Sequence, residues 1–121
     1  MSTAGSNLKD IGSPPLISVT IATYDRCKSL AATLDSFVRQ TMPSSCYEII
    51  VIDNNCTDQT ADVVASFAGQ LPIRYFRESR QGLSHCRNRA IAEFRGEVLL
   101  FTDDDVILEP DWLAAYSAAI A

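Results

Sequence analysis

Apolar and polar positions recur with two different periods along this chain, and the changes of period divide it into elements. Residues 16–22 are rich in β-branched side chains and read as a strand. Leu30, Leu34, Phe37 and Val38 fall at i, i+4, i+7 and i+8. That spacing gives one apolar face of a helix, with Asp25 or Ser29 as its cap and Pro43 closing the segment. Residues 47–52 are almost continuously apolar toward their end, as suits a central parallel strand covered on both faces. Thr57 or Asp58 then caps a helix carrying Val63, Val64, Phe67 and Ala68, which stops near Gly69. A short strand follows over residues 73–76. Gly82-Leu83-Ser84 opens a third helix, with Ser84 as cap, that packs Cys86, Ala90, Ile91 and Phe94 and ends before Gly96. Residues 97–102 form a fourth strand, and Pro110 suits the first turn of a last helix through Trp112, Leu113 and Tyr116.

The order is β-α-β-α-β-α-β-α with short connections. It predicts one α/β domain over residues 16–121, a mostly parallel sheet flanked by helices, behind a flexible polar leader, residues 1–15. In such sheets ligands bind beyond the carboxyl ends of the strands. The polar residues in need of explanation stand there: Thr23-Tyr24-Asp25, Asp53-Asn54-Asn55 and Asp103-Asp104-Asp105.

Composition narrows the function. Of 121 residues, 10 are Lys or Arg and 15 Asp or Glu, a formal charge of −5, which gives no broad electrostatic claim on nucleic acid or an anionic membrane. No apolar run approaches the roughly 18 residues of a membrane span. The leader lacks the apolar stretch of a secretory signal, so a cytoplasmic protein is expected. Cys27, Cys46, Cys56 and Cys86 include no C-x-x-C pair and read as reduced thiols. No Gly-rich dinucleotide fingerprint, P-loop or G-x-S-x-G elbow is present.

The acidic run is the sharpest feature. Three adjacent carboxylates repel one another, and alternation along an extended chain puts Asp103 and Asp105 on one face. A hard divalent cation, Mg²⁺ or Mn²⁺, would neutralise them, and a solvated acidic loop is the competing reading. Asp53 and Asn54 offer an acceptor and an amide suited to a base edge or a ribose hydroxyl, although taken alone such residues are more often turn chemistry. Arg87 and Arg89, with Arg80 just upstream, stand near a helix amino end, an arrangement suited to a phosphate or to a solvated face.

Taken in order, four segments resemble family 2 glycosyltransferases. These are Val19-Thr20-Ile21-Ala22-Thr23-Tyr24-Asp25-Arg26, then Val51-Ile52-Asp53-Asn54-Asn55-Cys56-Thr57-Asp58-Gln59-Thr60, then residues 82–91, and Phe101-Thr102-Asp103-Asp104-Asp105. The resemblance covers about residues 17–116. It implies a GT-A fold, a nucleotide-diphosphate-sugar donor, with UDP favoured, a divalent cation, Mn²⁺ or Mg²⁺, and inverting transfer to an acceptor hydroxyl. By that match Thr23, Tyr24 and Asp25 line the base pocket with Asp53 and Asn54 beside them, and the Arg87 region lies toward the nucleotide or its diphosphate. Asp103 and Asp105 resemble the metal-binding ends of a DxD motif, with Asp104 toward ribose or sugar. The resemblance also implies a longer protein. No acid follows Asp111 to serve as general base, so the chain reads as the donor-binding half, truncated after the DxD-like motif, with weak or no transfer activity alone. A non-catalytic nucleotide-sugar-binding remnant is the alternative. A metal-dependent phosphohydrolase ranks lower, because Ile107 stands where that chemistry wants Thr or Val and the acids lie on the wrong strand.

Overall fold

The computed structural model describes residues 14–120, so the leader expected over residues 1–15 lies outside the described residues up to residue 13. The elements are β1 (Ile17–Thr23), α1 (Cys27–Val38), β2 (Tyr47–Asp53), α2 (Thr60–Phe67), β3 (Ile73–Arg77), α3 (Leu83–Glu93), β4 (Val98–Thr102) and α4 (Trp112–Ile120), with a single 3-10 turn, Ser44–Cys46, before β2. Their sequence and type are those read from the periodicity. The 3-10 turn was not expected.

The four strands lie in the order β3-β2-β1-β4, and all three pairings are parallel. Right-handed crossovers then dictate the layers. The chain steps the same way from β1 to β2 and from β2 to β3, so α1 and α2 share one face. It reverses from β3 to β4, so α3 lies on the other.

Side-chain alternation sorts the core accordingly. Ile17, Val19, Ile21, Ile49 and Val51 point toward the first face and pack with Leu30, Leu34 and Phe37 of α1, Val64 of α2 and Leu113 of α4. Ile50 and Ile52 point the other way and meet Cys86 of α3, flanked by Ala22, Phe76 and Phe94. Both central strands are buried along nearly their whole length, as a near-continuous apolar run requires.

The helix caps depart from expectation. The residue before α1 is Arg26, and no side chain of its own segment caps the helix; the Cys27 N–H instead donates to Asp58 Oδ2 at 3.0 Å, from the next crossover. Asp58 Oδ1 also accepts the Thr60 N–H at 3.1 Å as α2 begins, although the formal cap position is Gln59. The Thr60 hydroxyl on Asp58 holds that carboxyl below the usual carboxylate range. α3 is preceded by Gly82, not Ser84, at φ 131°, a conformation that side-chain-bearing residues rarely adopt. Ile91 was expected in the core but is 57% exposed, because α3 turns only its Cys86–Ala90 stripe to the sheet.

Candidate functional site

β1 sends the chain toward β2 on one side, and β4 pairs with β1 on the other. The junction of their carboxyl ends is therefore the topological switch point of the sheet, where side chains cannot close over both directions and a crevice is left. Two adjoining cavities open there, of about 270 and 290 Å³, sharing Ala22, Leu83 and Cys86 as common walls. The first is lined by Thr20, Arg87, Phe101, Thr102 and Asp103, the second by Thr23, Tyr24, Arg26, Asn54, Gly82 and Asp104 among others.

The acidic run splits by orientation. Asp104 turns inward and is only 6% exposed; it accepts the Thr23 hydroxyl at 2.9 Å and faces Arg26 Nη1 at 3.4 Å. Asp103 and Asp105 stay exposed on either side of it, with Asp105 at 3.5 Å from Arg26. The segment after the run is held by α1. Thr33 Oγ1 donates to Val106 O at 2.7 Å and accepts Val106 N–H at 3.1 Å, and Ser36 Oγ accepts the Leu108 N–H at 3.1 Å. Gln40 spans Glu109 O and the Leu113 N–H at 2.7 and 3.0 Å. Sequence reasoning missed this ladder. Its only trace in the chain is the i, i+3, i+7 stripe of Thr33, Ser36 and Gln40 beside an apolar face.

Two turns interlock at the ends of β1 and β2. Asp25 adopts φ 50°, held by its N–H on Cys56 Sγ at 3.3 Å and by its Oδ1 accepting the Thr57 N–H at 2.6 Å. Cys56 Sγ–H returns to Thr23 O at 3.4 Å, and burial raises that thiol's pKa. The buried Asp53 carboxylate accepts the Cys56 N–H at 2.7 Å and the Tyr75 hydroxyl, with Arg77 Nη1 at 3.4 Å. The structure therefore gathers Thr23, Tyr24, Asn54 and Asp104 around one cavity and Arg87 and Asp103 around the other. Asp25 and Asp53, grouped with them in the sequence reading, turn their carboxylates into the loops, where they accept the backbone N–H groups of Thr57 and Cys56.

Of the three arginines near α3, Arg89 pairs with Glu93 at 3.1 Å and Arg80 with Glu78 at 3.2 Å. The Arg80 N–H and guanidinium hold the Glu78 carboxyl below its ordinary range. Arg87 stacks 6.0 Å over the exposed Phe101 ring, with no ion-pair partner among the described residues, and lines the first cavity. Thr20, whose buried Oγ1 has no hydrogen-bond partner among the described residues, lines the same cavity.

Exposed carboxylate oxygens at Asp103 and Asp105 are donors of the kind Mg²⁺ or Mn²⁺ takes; Asp103 lines the first cavity, whereas Asp105 faces Arg26 and lines neither. The acid and thiol atoms that converge within 4.8 Å among the described residues are those of Asp25, Cys56 and Asp58, and all three are committed to the hydrogen bonds just described.

The family model of glycosyl transferase family 2 matches residues 18–120. This chain belongs to glycosyltransferase family 2. Over 109 residues it is 35% identical to the validoxylamine A glucosyltransferase of Streptomyces hygroscopicus subsp. jinggangensis, covering 88% of this chain and 26% of that protein. Residues 1–349 of S. aureus TarS in complex with UDP superpose with a TM-score of 0.82 at 29% identity, over 87% of this chain and 32% of that one. A Pyrobaculum calidifontis mannosyltransferase in complex with GDP-Man and Mn²⁺ superposes with a TM-score of 0.75 at 28% identity, over 85% of this chain and 33% of that one. The parallel four-stranded sheet flanked by helices is thus the GT-A fold of family 2, as the motifs implied. The chain spans about a quarter to a third of the length of these proteins. No helix among the described residues is long and apolar enough to cross a membrane.

Proposed function

We propose that the cleft at the β1/β4 switch point binds a nucleoside-diphosphate sugar, and that the chain is the donor-binding part of a family 2 glycosyltransferase. One observation carries the reading: Asp103 and Arg87 line one cavity, and Asp104, anchored by the Thr23 hydroxyl, lines a second that shares its walls. A diphosphate needs cationic and hydrogen-bonding groups at one end, and Arg87 with the amino end of α3 supplies them. Tyr24 and Thr23 line the portion assigned to the nucleoside, and Asp104 that assigned to ribose or sugar. Asp103 and Asp105 are assigned a divalent cation, Mn²⁺ or Mg²⁺, which when bound would offset charge on the departing diphosphate. Asp25 and Asp53 shape the nucleoside end by fixing its two turns.

In the transfer, an acceptor hydroxyl oxygen bonds to the anomeric carbon while the bond from that carbon to the diphosphate oxygen breaks. The nucleoside diphosphate departs with the electron pair, and a general base takes the hydroxyl proton. The donor side of this chemistry is what the residues above supply. UDP is the favoured nucleotide, supported by the UDP and UDP-GlcNAc complexes of TarS; the GDP-Man complex makes GDP the second choice.

Thermal melting of the purified chain with UDP and Mn²⁺ tests the reading, since a ligand that binds only the native state raises Tm. An upward shift that Arg87→Ala removes supports it. A cooperative melt shifted by none of UDP, GDP or TDP, with or without Mn²⁺, overturns it.

A further inference from the structure

Asn54 lines the second cavity, yet its side chain has nothing left to offer a ligand. It follows β2 directly and is 5% exposed. Nδ2 donates to Glu78 O and to Arg80 O, both at 2.9 Å. Oδ1 accepts the Gly82 N–H at 2.9 Å and Gln81 Nε2 at 3.2 Å. Two carbonyls on one side and two N–H donors on the other fix which atom is which, and they use both amide protons and both lone pairs. Its own backbone N–H donates to Thr23 O at 3.0 Å. Asn54 therefore ties the ends of β1 and β2 to Glu78, Arg80, Gln81 and Gly82 in the loop between β3 and α3, while Asn55 Nδ2 donates to Ser79 O at 3.0 Å and to Gln81 Oε1 at 2.9 Å beside it.

That loop decides where α3 begins. Gly82 O accepts the Cys86 N–H at 3.3 Å in the first helical turn, and Gly82 reaches this position only at its φ of 131°. Leu83, Cys86 and Arg87 follow in register, and all three line the cleft. No other described side chain reaches this loop with both donors and acceptors.

We infer that Asn54 is a positioning residue that sets the α3 side of the donor cleft through the 78–82 loop, and that its amide does not read the nucleobase. A carboxylate of the same shape cannot replace it, because aspartate would present oxygen to Glu78 O and Arg80 O and lose both donated bonds. The inference rests on the donor-site reading for its consequence on binding, but the loop anchoring stands apart from it.

The test pairs amide hydrogen exchange with nucleotide titration on the whole chain. In Asn54→Ala the Gly82 amide is expected to exchange at least tenfold faster, and UDP and GDP affinities to fall by the same factor. Asn54→Asp keeps the acceptor of the Gly82 N–H and loses both donated bonds, so it is expected to lower UDP and GDP affinity as Asn54→Ala does while raising Gly82 exchange less, whereas a contact made through Oδ1 to a base would survive it. Gln81→Ala removes one rung and is expected to give a smaller effect of the same sign, which keeps the test open should the Asn54 variants fail to fold. Unchanged Gly82 exchange, a loss confined to one base, or a lowered Tm with unaltered affinity would each overturn the inference. If the unaltered chain binds neither nucleotide, the donor-site reading fails while the exchange arm still judges the anchoring.

Discussion

Replacing Glu48 by alanine should unlock the amino end of the sheet. Glu48 sits in β2, 6% exposed, and accepts four hydrogen bonds: Ser18 Oγ at 2.5 Å, Arg74 Nε at 2.8 Å, Arg74 Nη2 at 3.2 Å and the Arg95 N–H at 2.9 Å. Ser18 Oγ in turn accepts the Gly96 N–H at 2.8 Å, so one carboxylate links β1, β2, β3 and the entry to β4. Removing it strands a buried hydroxyl, a backbone N–H and a guanidinium. Breaking a buried pair costs about 3–5 kcal/mol. Arg74 is 21% exposed and keeps its bond to Glu93 O, so part of its charge finds water and the lower end, about 3 kcal/mol, is expected. For a domain of this size that is roughly 12 °C in Tm and a large fraction of total stability. Urea titration followed by far-UV circular dichroism at pH 7 reads it as a lower midpoint at constant slope. A loss below about 1 kcal/mol would refute the reasoning, placing the pair with exposed surface bridges. Acid supplies a second check. Burial pushes the Glu48 carboxyl up, but Arg74, Ser18 and the Arg95 N–H outweigh it and leave the group below its ordinary value. A depressed folded pKa contributes stability above the unfolded value, about 4.3, and loses it as pH falls through the folded one. The deficit of Glu48→Ala should therefore be full at neutral pH and shrink in acid.

Gly96→Ala should cost about 2–3 kcal/mol by thermal melting, because a Cβ there would lie 2.7 Å from Ser18 Oγ and 2.8 Å from the Ser18 backbone N, and β1 cannot retreat. Gly69→Ala, with nothing within 4 Å, should be near neutral and serves as its control. Burial, and then the adjacent Asp53 carboxylate, push the Tyr75 phenol well above the usual tyrosine range. Its ionisation in an ultraviolet titration should therefore come late, and Tyr75→Phe should delete that late fraction. Thr23→Val removes the hydroxyl from Asp104; it should cost about 1 kcal/mol of stability and weaken Mn²⁺ binding, read by electron paramagnetic resonance of the free ion.

The strands and the first helix were legible because burial writes itself into local periodicity: the run ending β2 and the Leu30, Leu34, Phe37 stripe need no knowledge of partners. The positions of Asp103–Asp105 and Arg87 near the strand ends followed from the order of elements. What local reading could not deliver was decided across long sequence separations. The cap of α1 comes from Asp58 in a different crossover, and the anchors of residues 106–108 come from Thr33 and Ser36, more than seventy positions away. Asp25 and Asn55 both adopt positive φ, at 50° and 72°, which their residue types permit but do not announce. Ile91 shows the converse error, an apolar residue at helical spacing on a side of α3 that meets no strand.

The Thr33, Ser36 and Gln40 ladder gives the acidic run an unusual mechanical setting. Residues 106–110 have no regular structure, yet they are stitched to a helix as a strand is to its neighbour. With β4 gripping the other side, the three aspartates hang on a span pulled taut at both ends. A ligand captured there would meet carboxylates already in place, so little chain entropy would be lost on capture. Slack introduced between Asp105 and Val106, such as two inserted glycines, would leave every side chain of the site present and still turn a rigid snare into a loose one.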